Sequence, residues 1–130
     1  MIEKIDHVGI AVKDLDATLK FYEQTLGLKV GEKMDHGDSQ GAFVKVGDTE
    51  FELLANKDPK SAIARHIEKK GEGIQHIAFK VDQIEKAMED LKKKGIPFID
   101  EKPRPGARGS RIVFMHPKST YGVLLELVER

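Results

Sequence analysis

Apolar and polar residues alternate through IDHVGIAV, residues 5–12, as they do in a strand with one buried face. Asp14 then offers a helix N-cap, and Leu15, Leu19, Tyr22 and Leu26 fall on one helical stripe that Gly27 stops. The next stretch predicts strands around LKVGEKM, GAFVKV and TEFELLA, with Gly47 and Asp48 turning the hairpin between the last two. In DPKSAIARHIEKK, residues 58–70, Ile63 and Ile67 are spaced for a connecting helix, which GEG ends. Beyond it GIQHIAFKV reads as a strand and VDQIEKAMEDLKKKG as a helix with Ile84, Met88 and Leu91 on one stripe. IPFIDEK, SRIVFMH and GVLLELVE read as three further strands.

The pattern repeats. Setting His7 on His76 carries Val12 onto Val81, Leu15 onto Ile84, Leu19 onto Met88 and Tyr22 onto Leu91, all at one offset. The chain is therefore predicted to be a single α+β domain of two tandem βαβββ modules. The pseudo-repeats cover residues 1–56 and 72–130, and the connecting helix lies at about 58–70.

Composition narrows the function. A chain of 130 residues with 39% hydrophobic content is long enough to bury a core. Lys and Arg total 22 and Asp and Glu total 22, so no net field draws in nucleic acid or an anionic membrane, and a small-molecule partner fits better. The absence of cysteine excludes disulfides, thiolate zinc sites and cysteine nucleophiles. MIEKIDHV lacks a signal-peptide apolar core, and no stretch approaches the roughly 18 apolar residues of a membrane span, so the expected location is cytoplasmic.

Each half places a histidine in its first strand, His7 or His76, and a glutamate inside an apolar last strand, Glu52 or Glu126. A lone histidine of this kind reads as a satisfied core residue, and a lone strand glutamate as a solvated one. Two of each at equivalent places of a duplicated fold make a candidate site of two imidazoles and two carboxylates, a donor set that suits Zn²⁺, Co²⁺, Ni²⁺, Mn²⁺ or Fe²⁺ better than Ca²⁺. His36, in the polar DHGDSQG loop, and His66, beside Arg65, read as solvated surface residues, whereas His116 before Pro117 reads as a turn cap. RPGARGS lacks the GK[ST] of a phosphate loop, and aromatics at 6% are too few for a base-stacking surface.

The H…E, H…E pattern on paired βαβββ units resembles the vicinal oxygen chelate superfamily, which includes glyoxalase I, extradiol dioxygenases, fosfomycin-resistance proteins and the methylmalonyl-CoA epimerase family. IDHVGIAVKDLDATLKFYEQTLGL, GIQHIAFKVDQI and above all FMHPKSTYGVLLEL are similar to the epimerases. The resemblance implies a half-open barrel, a homodimer, and one divalent metal per chain (Co, Mn, Zn, Ni or Mg) held by His7, Glu52, His76 and Glu126. It also implies an acyl-CoA thioester substrate whose C2 proton is removed and returned to the other face, with Glu126 as the first candidate base. Residues 40–46 contain no acid, which leaves the second base to Glu52, or to a water placed by Gln40. Lys118 and Ser119 are the expected contacts to the pantetheine or phosphates of coenzyme A. Glyoxalase I chemistry on a hemithioacetal and metal-free binding of a small molecule are the alternatives.

Overall fold

The computed structural model describes residues 1–130, in nine strands and three α-helices. Two units form: His7–Gln75, and Met1–Asp6 together with His76–Arg130. No helix is long and apolar enough to cross a membrane.

The first module runs β1 (Ile2–Ala11), α1 (Leu15–Lys20), β2 (Lys29–Val30), β3 (Met34–His36), β4 (Ser39–Val46) and β5 (Thr49–Asn56), followed by α2 (Ala62–Lys70). Its strands lie in the order β2-β4-β5-β1, with β3 paired to β4. β1 and β5 are parallel, and β4 and β5 form an antiparallel hairpin whose turn uses Gly47 at φ +63°. Alternation puts Ala42 and Val44 of β4 with Leu53 and Ala55 of β5 in one core, where Val12 and Leu15 join them. Burying each large side chain there contributes about 1.5–3 kcal/mol.

Three expectations change in this unit. The stretch LKVGEKM yields two short strands, β2 and β3, and His36 ends the second rather than lying in a loop. The first helix changes pitch: Asp14 Oδ1 caps it by accepting the Ala17 N–H at 3.0 Å, but Phe21–Thr25 winds as a π-turn and Leu26 N–H reaches back to Phe21 O at 3.1 Å. The extra residue in that turn rotates Leu26 off the stripe to 51% exposure, and Leu28 packs against the core instead. α2 begins later than residue 58, because Asn56 and Asp58 side chains hold a turn there and Ser61 Oγ is the true cap on Ala64 N–H.

The second unit contains β6 (Gly73–Val81, from His76 on), α3 (Ile84–Lys93), β7 (Arg104–Pro105), β8 (Arg111–Phe114) and β9 (Leu125–Glu129), in the sheet order β6-β9-β8-β7. β6 and β9 are parallel and β8 and β9 antiparallel, repeating the pairings of the first module. Val81, Ile84, Met88, Val113 and Leu127 form the core under α3, with Leu91 packed against it as the stripe predicts. The expected strand IPFIDEK does not form. Only Phe98 bridges to Met115, because the Asp100 carboxylate takes the Phe114 N–H at 3.0 Å that a neighbouring strand would use. β7 supplies the third strand after the helix instead.

Residues Met1–Asp6 join this unit through Asp6, whose buried carboxylate receives Arg130 Nη2 at 3.0 Å and Nε at 3.1 Å.

Candidate metal centre

Each module lays its helix against one face of its strands, and the residues one step out of phase point to the other face. In the first module that step selects His7 on β1 and Glu52 on β5. His7 Nε2 lies 3.3 Å from Glu52 Oε1, and both residues are buried, at 3% and 8% exposure. In the second it selects His76 on β6 and Glu126 on β9, with Nε2 3.7 Å from Oε2 and both 3% exposed.

Register explains why the two pairs match. Glu52 stands opposite Gly9 in the parallel β1–β5 ladder, two residues past His7, and Glu126 stands opposite Ala78 in the β6–β9 ladder, two residues past His76. The same parallel pairing and the same offset bring imidazole to carboxylate in both halves.

The separations suit shared coordination. Two donors each about 2.1 Å from a metal and about 100° apart stand about 3.2 Å from one another, and opening the angle to about 120° gives about 3.6 Å. Each His–Glu pair thus has the spacing of two ligands of one ion, and the second is too long for a direct hydrogen bond.

Two aromatic rings flank the pairs, and the sequence reading missed them. Phe43 on β4 faces Glu52 across the hairpin and meets the His7 ring edge-on, centroids 5.9 Å apart at 88°. Phe114 on β8 faces Glu126 and meets the His76 ring at 5.4 Å and 85°. The chain distance from phenylalanine to glutamate differs between the halves, so the repeat gives no fixed spacing to notice.

The strand that carries Glu126 is braced from its other side. Glu129 Oε2 accepts the Ile84 N–H at 3.0 Å and so caps α3 in place of Gln83, whose side chain makes no cap. Arg111 Nη2 pairs with Glu129 at 2.8 Å and also with Glu85. The Ile84 N–H, then Arg111, hold the Glu129 carboxyl below its usual range, the Arg111 hydrogen bond does the same to Glu85, and the two acids raise Arg111.

The remaining candidates fall elsewhere. Lys118 is exposed and Ser119 half-buried on the short turn Pro117–Ser119, which His116 caps as expected by accepting the Lys118 N–H on Nδ1 at 3.3 Å. Gln40 is half-buried, with its amide 3.5 Å from the Asp35 carboxylate. His66 is half-buried rather than solvated, and burial, then Lys70, lower its pKa.

Residues 4–127 match the model of the Glyoxalase/Bleomycin resistance protein/Dioxygenase superfamily. The mitochondrial methylmalonyl-CoA epimerase of Homo sapiens is 42% identical over 128 residues, covering 95% of this chain and 72% of that one. The ethylmalonyl-CoA/methylmalonyl-CoA epimerase of Cereibacter sphaeroides is 39% identical and covers 98% of each. A solved methylmalonyl-CoA epimerase in complex with methylmalonyl-CoA and NH4+ aligns with a TM-score of 0.93 at 37% identity, over 99% of this chain and 95% of that chain. With paired βαβββ modules, a buried His–Glu pair in each and a match from residue 4 to residue 127, this chain belongs to the Glyoxalase/Bleomycin resistance protein/Dioxygenase superfamily, the vicinal oxygen chelate proteins that its sequence resembles.

Proposed function

We propose that the chain is a methylmalonyl-CoA epimerase in which His7, Glu52, His76 and Glu126 hold one divalent metal ion. The observation that carries the reading is the duplicated His–Glu pair, buried in both modules at one register, in a chain about 40% identical to named epimerases over nearly its full length. When bound, the metal would supply a Lewis acid for the thioester carbonyl and the free carboxylate of the substrate.

The chain's own groups then move the proton. Glu126 takes the C2 proton, the electron pair left behind spreads onto the thioester oxygen, and a proton returned from the opposite face gives the other epimer. Glu52 serves that second face; Gln40, paired with Ala55 on the helix-covered side of the sheet and with its amide 3.5 Å from the Asp35 carboxylate, is not placed to order a water there. Buried surroundings favour this work, because they keep bulk water from quenching the carbanion and strengthen every charge interaction.

Lys118 and Ser119 are the proposed contacts to coenzyme A. The turn that presents them is fixed by the His116 cap, and an exposed ammonium suits a phosphate. A homodimer completes the proposal, supported by the superfamily resemblance and by the exposed Met1 and, at the start of β1, Ile2 and Ile5.

The test is direct: one pure epimer of methylmalonyl-CoA, mixed with metal-loaded protein, should give both epimers, followed on the intact thioesters, which are diastereomers because coenzyme A is itself chiral. A metal-loaded preparation that leaves the starting epimer unchanged contradicts the reading.

A further inference from the structure

We infer that Phe43 and Phe114 are positioning residues, each setting the ring plane of one histidine and the place of its partner glutamate. The inference rests on the proposed metal site and concerns how its ligands are aimed.

An imidazole in a strand has a broad, roughly two-fold freedom about its last side-chain torsion, so something other than the backbone must choose where Nε2 points. Edge-to-face contact with a neighbouring ring makes that choice, because turning the imidazole forfeits the favourable meeting of ring edge and ring face. Both histidines have this contact at nearly a right angle, 88° for His7 with Phe43 and 85° for His76 with Phe114. Each phenylalanine is also the direct cross-strand partner of the glutamate, Phe43 of Glu52 and Phe114 of Glu126, so its ring and that carboxylate share a face. One side chain thus borders both ligands of each pair.

These rings are not part of the helix-covered cores. The adjacent residues Val44 and Val113 occupy those, packed with Leu53 and with Leu127 on the opposite strand face. Phe114 is itself anchored, by Asp100 on its N–H at 3.0 Å and by the Arg104 guanidinium 5.6 Å from its ring centre. The same Asp100 receives Arg104 Nε at 3.1 Å, tying both anchors together.

The neighbouring valines provide the control that separates aiming from folding. Cobalt(II) affinity, measured by competition with a chelator, and the visible absorption of the cobalt(II) protein are compared for wild type, Phe43→Leu, Phe114→Leu, Phe114→Tyr, Val44→Ala and Val113→Ala. The two leucine variants should bind cobalt about 3- to 10-fold more weakly and shift the absorption band, whereas Phe114→Tyr, which keeps the ring, should stay within about twofold of wild type. The valine variants should melt at lower temperature yet keep the wild-type affinity and spectrum. Leucine variants with wild-type affinity and spectrum, or valine variants weakened as much as they are, would overturn the inference and leave the metal site standing. A wild-type protein that takes up no cobalt would overturn the site itself, and this inference with it.

Discussion

His76 Nε2 lies 3.7 Å from Glu126 Oε2, with both side chains buried on the paired parallel strands β6 and β9. An ionised carboxylate in such a place carries a desolvation cost that a cation offsets. The first prediction follows: the protein carries one divalent metal per chain, and His7→Ala or His76→Ala abolishes tight binding. Metal analysis of dialysed protein checks it, and full retention of metal in both variants would remove the site. Removing the metal from wild type should also lower the melting temperature, since a ligand at about 1,000 times its Kd contributes about 4 kcal/mol.

Glu129 caps α3 across the sequence, so Glu129→Ala should cost about 1 kcal/mol at neutral pH, in line with other helix caps. The folded Glu129 carboxyl titrates below its ordinary value, which means the unfolded chain binds the proton more readily and the stabilisation is present above the unfolded pKa of about 4.3. As pH falls through the lower folded value that contribution is lost. Denaturant melts of wild type and Glu129→Ala should therefore diverge at pH 7 and converge as the pH falls below the lowered folded value, and a gap independent of pH would show that the charge is not what caps the helix.

A Cβ at Gly106 would lie 2.6 Å from both Ile112 Cγ2 and Ser110 Oγ, closer than packed atoms tolerate. Gly106→Ala should destabilise the protein by about 1–3 kcal/mol as the loop before β8 shifts to make room. Thermal melts read this directly, and an unchanged midpoint would show that the loop gives way freely.

Light scattering at micromolar concentration should return the mass of two chains. Met1 and, at the start of β1, Ile2 and Ile5 are exposed, and pairing covers apolar surface of this kind. A monomer mass would remove the dimer from the account.

Much of this was legible because the two periods, two for strands and 3.6 for helices, were carried by apolar residues in matching places. His7 and His76, Leu15 and Ile84, and Leu19 and Met88 could be set on one another before any fold was known. What stayed hidden was decided by hydrogen bonds and register. The π-turn at Phe21–Thr25 changes which carbonyl Leu26 reaches, and apolar spacing does not record that choice. IPFIDEK has strand-like residues, yet Asp100 takes the Phe114 N–H that a strand would have used. Phe43 and Phe114 reach their histidines through the antiparallel strands β4 and β8, so their roles depend on cross-strand register. The cap that Glu129 supplies to Ile84 spans 45 residues, beyond the reach of any local capping pattern.

Glu126 is the proposed base for the C2 proton of methylmalonyl-CoA. Incubating metal-loaded protein with methylmalonyl-CoA in D₂O and following the C2 proton signal by NMR tests it most directly. The signal should be lost together with epimerisation at C2, at a rate lower by on the order of 10²-fold or more in Glu126→Gln once its metal content has been matched to wild type. Wild-type protein that leaves the C2 proton in place while converting the methylglyoxal–glutathione hemithioacetal would contradict it.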